Sequence, residues 1–174
     1  VAPLTEQVER HLATHGSFRS DELVLLSGGS NDTYAQFSAV CWGLDNNGLG
    51  AGNTTTALAT EAITAAARAE VALIRRMRDN GARRIVVAGA GDWSSNPFAR
   101  HYLSPDYQQT GCYSPVPAEQ VTAWTRQFNR IVTRAIAGMP GVHYLDLDKV
   151  LGRAMTHPAR YGLVNVTEIG RAHV

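Results

Sequence analysis

The stretch Leu23-Val24-Leu25-Leu26-Ser27-Gly28-Gly29-Ser30-Asn31-Asp32 decides how the rest of the chain is read. A run of Leu and Val with no polar alternation suits a strand of a parallel sheet that is covered on both faces. The glycines that follow let the backbone turn sharply at the strand's C-terminal end, where open parallel sheets bind their ligands. An asparagine amide delivered there is placed to donate to an oxygen that becomes negative during a reaction. Asn31 or Asp32 would equally serve as the cap of a following turn.

Outward from this stretch, strand and helix patterns alternate. Leu4, Val8 and Leu12 form one face of a first helix closed by Gly16. Thr54 to Thr56 can cap a long helix with Leu58, Ala62, Ala65, Ala69, Leu73 and Met77 on one side, and Asn80-Gly81 ends it. Ile85 to Ala88 read as a second buried strand. A long loop rich in Gly, Ser, Pro and Tyr follows, and loops of that length inside a compact domain usually carry function. Pro115 and Pro117 open another helix with Val121, Trp124, Phe128, Ile131, Val132, Ala135 and Ile136 at helical spacing, ended by Gly138 and Pro140. Val142 to Leu147 give a third strand, and a short helix is expected from about Lys149 to Thr156. Strands separated by long helices predict right-handed parallel crossovers and a three-layer α/β/α sandwich.

Composition bounds the function. At 174 residues and 44% hydrophobic, the chain can bury a substantial single core. Sixteen basic against fifteen acidic residues give a net charge of +1, so nothing calls for nucleic acid or an anionic membrane as a partner. No apolar run approaches the roughly 20 residues of a spanning helix. Cys41 and Cys112 are too few for a disulfide framework or a zinc site. Both are expected in loops, either bridged in an oxidising compartment or left as two thiols.

Gly29, Ser30, Asn31 and Asp32 match the Gly-x-Asn-Asp block of the SGNH (GDSL) esterases and lipases, and the chain resembles that family beyond this block. The order and spacing continue through Gly81-Ala-Arg-Arg-Ile-Val-Val87, Phe128-Asn129, Pro140-Gly-Val-His-Tyr-Leu-Asp146, Pro158-Ala-Arg-Tyr-Gly162 and Asn165-Val-Thr167. The resemblance is to the esterase and phospholipase branch and covers nearly the whole chain. It implies a partial flavodoxin-like fold with the last three parallel strands of a five-stranded sheet, carried by residues 1–168. The strand ending at Ser27 would then be an edge, its backbone groups and apolar face uncovered, with poor solubility as the consequence. It also implies a small-molecule or lipid ester as substrate, no cofactor and no metal, and a secreted or cell-envelope location.

Two family blocks do not occur in this sequence: the Gly-Asp-Ser-Leu-like block that holds the nucleophile and the Asp-x-x-His block that holds the general base. The chain opens on Val1, and it is read as an internal fragment. Ile169-Gly-Arg-Ala-His-Val174 is what ATC GGA AGA GCA CAC GTC encodes, a string resembling a widely used sequencing adapter. Residues 169–174 are therefore expected to be a non-native tail, and His173 is kept out of the site.

The resemblance makes Asn31 the catalytic residue, as oxyanion donor. Gly29 would serve by lacking a side chain, and Ser30 and Asp92 would border the substrate. Asp92 stands where relatives often carry Pro-Asp, whereas this chain has Gly-Asp. Asp32 is expected to hold the turn by hydrogen bonds rather than to act as an acid or base. Ser27, Ser30, Ser94 and Ser95 stand in no Gly-x-Ser-x-Gly elbow, so no nucleophile is assigned. His101 alone among the histidines lies in the cleft-side loop, and nothing in the family pattern supports it as the base. Trp93, Tyr102, Tyr107 and Tyr113 could line an acyl or aryl pocket or simply pin the long loop. Two rival classes remain: a nucleotide-binding module using Gly89-Ala-Gly91-Asp92, which lacks the sixth-position glycine of the dinucleotide fingerprint, and a non-catalytic binding domain of the same fold.

Overall fold

The computed structural model describes residues 2–43 and 54–167. Most of the loop expected at Gly43 to Asn53, and the tail at 169–174, lie outside the described residues. The chain is an α/β protein in which α1 (Leu4–His15), β1 (Leu23–Ser27), α2 (Ser30–Trp42), α3 (Thr56–Asp79) and β2 (Arg84–Ala88) come first. Then follow a 3₁₀ turn (Trp93–Ser95), α4 (Pro97–Tyr102), α5 (Pro105–Gly111), α6 (Ala118–Ile136), β3 (Val142–Leu145), α7 (Leu147–Thr156) and a second 3₁₀ turn (Pro158–Tyr161).

The three strands form one parallel sheet in the order β1-β2-β3, a partial flavodoxin-like arrangement. Register places Val24 and Leu26 beside Ile85 and Val87, and these beside Val142 and Tyr144. Alternate residues share a face, so this row faces the core, where Leu26, Ile85 and Val87 are buried. The opposite face is different. Leu23 and Leu25 are each 67% exposed, and Leu145 is 42% exposed. The expectation that β1 would be covered on both faces therefore fails here, and the uncovered apolar edge is what the structure shows.

The core lies between this sheet and the pair α3 and α6. Thr55 caps α3 by accepting from the Leu58 N–H at 3.2 Å. The helix buries Ala59, Ile63, Ala67, Glu70, Val71, Leu73, Ile74 and Met77. Leu73 and Met77 face inward as expected, whereas Leu58, Ala65 and Ala69 are exposed, so the earlier part of the buried face is rotated by about one residue from the expected one. Alanine occurs on every side of this helix, so apolar spacing had little contrast to work with. In α6, Trp124 and Phe128 are fully or almost fully buried, and each such aromatic contributes about 2 to 3 kcal/mol by leaving water. The Trp124 indole donates to Thr60 Oγ1 at 2.9 Å and the Gln127 amide to Thr64 Oγ1 at 2.6 Å, which fixes the two helices side by side.

Two elements depart from the sequence reading. Residues 30–42 form a helix, α2, instead of an open turn, and Cys41 sits in its last turn rather than in a loop. The long segment after β2 is also helical in part, with Asn96 and Ser104 capping α4 and α5 and a proline opening each. A disulfide joins Cys41 to Cys112, 71 residues apart, and ties this segment to α2. Tyr113 N–H donates to the Cys41 carbonyl at 2.7 Å beside it.

Candidate active site

The turn between β1 and α2 is shaped by what its glycines lack. Gly29 has φ +89° and is buried, and a Cβ there would stand 2.6 Å from the Phe128 ring and 2.8 Å from the Ala90 methyl. Only glycine gives both the left-handed backbone and the clearance. The Gly29 carbonyl accepts from the Thr33 N–H at 3.0 Å, the first helical bond of α2. Asn31 thereby sits in the first turn of α2, exposed, with no described residue bonded to its amide. Backbone N–H groups of a first helical turn have no helical acceptor, so α2 aims its positive end at the same space.

Ser30 fastens this turn to the end of β2. Its hydroxyl accepts from the Gly91 N–H at 3.1 Å. Because the strands are parallel, Asn31, Asp92 and Asp146 all lie beyond the same edge of the sheet. Their roles differ. Asp146 caps α7 through the Lys149 N–H at 2.9 Å. Asp92 accepts from the Ser94 N–H at 2.9 Å with one oxygen and from the Thr122 hydroxyl at 2.6 Å with the other, and it lines neither of the clefts beside Asn31. Its carboxylate is occupied within the protein.

Ser30 and Asn31 border two clefts. One, of about 550 Å³, lies between the start of α1, the turn Ser27–Asp32 and the middle of α3, and includes Leu4, Ala66, Ala69, Glu70, Leu73 and Phe128. The other, of about 240 Å³, is walled by Tyr34, Trp93, Asn96 and Phe98. Trp93 meets Tyr34, Phe37 and Phe98 edge-on, and its indole donates to Thr33 Oγ1 at 3.1 Å. Of the four loop aromatics, Trp93 lines a cleft. Tyr102 and Tyr107 pin the loop, Tyr107 through its hydroxyl to the Trp42 indole at 3.0 Å, while Tyr113 is 89% exposed.

Two residues received no role from the sequence. Asn129 clamps the β2 end, accepting from the Ala90 N–H and donating to the Ala90 carbonyl, both at 2.8 Å. Glu70 is only 5% exposed, and its Oε1 is buried without a hydrogen-bond partner. Burial, and then the charge of Asp32, push its carboxyl up to about 7. The carboxyl presses on Gly28, where any side chain would collide with it. A Glu on the inward row of an otherwise apolar helix face was the signal in the sequence.

The segment Gly89 to Asp92 leaves no backbone amide for a phosphate. Gly89 N–H donates to the Leu145 carbonyl, Ala90 to Asn129, Gly91 to Ser30 and Asp92 to Asp148 Oδ1 at 3.2 Å. A phosphate-binding loop needs such amides free. Ser94 Oγ shares a hydrogen bond with Thr122 at 3.0 Å, and His101 packs on Tyr102 and Tyr107. Among the described residues no group of three or more His, Cys, Asp and Glu is placed to hold a metal, and no helix is long and apolar enough to cross a membrane. No family model matches the chain, and no curated protein is detectably similar to it.

Proposed function

We propose that this chain carries the oxyanion side of a serine ester hydrolase of the SGNH (GDSL) type. The observation that carries the reading is the Asn31 amide, exposed on the first turn of α2, beyond the C-terminal ends of the parallel strands and between two clefts. The resemblance supplies the rest of the machinery through the nucleophile and base blocks that this sequence does not hold.

The reaction assigns a task to each part. A serine hydroxyl attacks the ester carbonyl carbon while a histidine takes its proton, and the carbonyl π electrons move to the oxygen. That oxygen is met by the Asn31 Nδ2–H and by first-turn N–H groups of α2, donors already oriented before charge develops. Collapse of the intermediate expels the alcohol, protonated by the histidine, and water then releases the acid from the acyl-enzyme. Gly29 holds the donor in place by close packing on Phe128 and Ala90, and Ser30 fixes the turn against Gly91.

Hydrolysis of p-nitrophenyl acetate and butyrate tests the reading, first with this chain and then with a protein that adds the two family blocks from the parent gene. The chain alone is expected to show no turnover, and the completed protein to show turnover that depends on Asn31. A parent gene without a Gly-Asp-Ser block would favour a non-catalytic binding domain instead.

A further inference from the structure

Glu70 is a buried carboxyl to which ester hydrolysis gives no task. It occupies an inward position of α3 that a neutral apolar residue would fill at no electrostatic cost. It is more than nine-tenths buried, its Oε1 has no partner, and it lines the cleft of about 550 Å³ together with Gly28, against which it rests. Asp32 lines the same cleft, and among the described residues no Lys, Arg or His does. Two carboxyls with no described cation beside them, neutral polar groups at the rim and apolar walls from Leu4, Ala66, Leu73 and Phe128 describe a site for a positive hydrogen-bond donor carried on a short apolar stem.

We propose that this cleft binds an organic ammonium ion, with the Glu70 carboxylate as its principal partner and Asp32 as the second. Its N–H groups would give Glu70 the hydrogen bonds it lacks, and its charge would relieve the repulsion between the two acids. A neutral alcohol offers one donor and no charge, so the site discriminates against it. The assignment rests on the ester-hydrolase reading only in making the ammonium part of a substrate's alcohol portion.

Protonation sets the pH dependence. The groups facing Glu70 are Asp32 from α2 and the Tyr144 hydroxyl from β3, which feels its charge, with Leu4 of α1 and Phe128 of α6 contributing no charge. With its carboxyl pushed up to about 7, Glu70 is neutral at lower pH and charged above it. Ammonium binding should therefore tighten as pH rises through 7, and hold until the amine itself deprotonates near about 10.

The test is titration of the full chain with n-butylammonium chloride, and with n-butanol as its neutral counterpart, at fixed ionic strength and followed by calorimetry or NMR shifts. Saturable butylammonium binding is expected at about pH 8, with butanol at least about tenfold weaker and butylammonium itself clearly weaker at about pH 5.5. Glu70→Gln should weaken the ammonium at least about tenfold, and Asp32→Asn by less. Equal affinity for butanol, no saturable butylammonium binding, or binding indifferent to Glu70→Gln would overturn the proposal. The comparison of the two ligands needs no variant, so a poorly folded Glu70→Gln leaves it decisive. Binding is read without turnover: failure to bind leaves the role of Asn31 standing, and a lack of esterase activity leaves the ammonium site standing.

Discussion

The turn after β1 and the turn after β2 are built from similar sequence and have opposite physical states. Each leaves a parallel strand, runs through small residues and reaches an acid, Gly28-Gly-Ser-Asn-Asp32 in one case and Gly89-Ala-Gly-Asp92 in the other. After β2, four consecutive backbone amides and both oxygens of Asp92 have partners inside the protein. After β1, the Asn31 amide has no bonded partner among the described residues, the first turn of α2 faces open space, and Glu70 lies beneath with a buried oxygen unpaired. Polar groups at satisfied positions are explained by the fold; those left unsatisfied at the rim of a cleft ask for a ligand. The comparison separates a buttress from a site, although both carry the glycine and acid pattern that suggests chemistry.

Breaking the β1 turn should have the largest effect on stability. Gly29→Ala must be accommodated at φ +89° and against the Phe128 ring, and should cost about 3 to 4 kcal/mol, seen as a lower midpoint in urea. A tolerated Gly29→Ala would mean that the turn can reposition Asn31 freely.

The charge state of Glu70 should come next. Its folded-state carboxyl, up to about 7, lies above its ordinary range, so the folded chain holds this proton more firmly than the unfolded chain. The stabilisation is fully present below about pH 4.5 and is lost as pH rises toward 7, a fall of at most about 3 kcal/mol. Glu70→Gln should remove that slope, leaving the variant more stable than the parent at about pH 8 and close to it at about pH 4.5. Thermal midpoints across pH read this directly, and a parent whose stability rises between these limits would contradict the burial of an unpaired carboxyl.

The buttress should respond through folding alone. Asn129→Ala removes two bonds to the buried Ala90 backbone and should cost about 2 kcal/mol. Asp92→Asn keeps the size and one acceptor, and should cost about 1 kcal/mol. In a completed enzyme, a large loss of kcat from Asp92→Asn at unchanged stability would move Asp92 from buttress to site.

The parts that were legible in the sequence carry strong contrast. The period of α6 stands out because Trp124, Phe128 and Val132 alternate with charged residues, and the strands stand out as short apolar runs. In α3 the helix is plain but its face is not, since alanines surround it and a glutamate on the inner row reads as solvent-exposed by default. That same default hid Glu70. Helix α2 was masked by Ser30-Asn-Asp-Thr33, residues that serve turns and first helical turns alike, and the packing of Phe37, Val40 and Cys41 decides between them. The Asn96-Pro97 and Ser104-Pro105 pairs are cap signals that would have found α4 and α5. The Cys41 to Cys112 bridge depends on how α5 returns to α2, and no local spacing encodes that.

The most direct test of the central claim is hydrolysis of p-nitrophenyl butyrate by the completed protein and its Asn31→Ala variant, with thermal midpoints measured alongside. Removing one oxyanion donor should lower kcat by about 10² to 10³, while KM and the midpoint stay nearly unchanged, because the exposed amide acts on charge that develops only in the transition state. A variant with undiminished kcat, or robust turnover by this chain alone, would contradict the role of Asn31 as oxyanion donor.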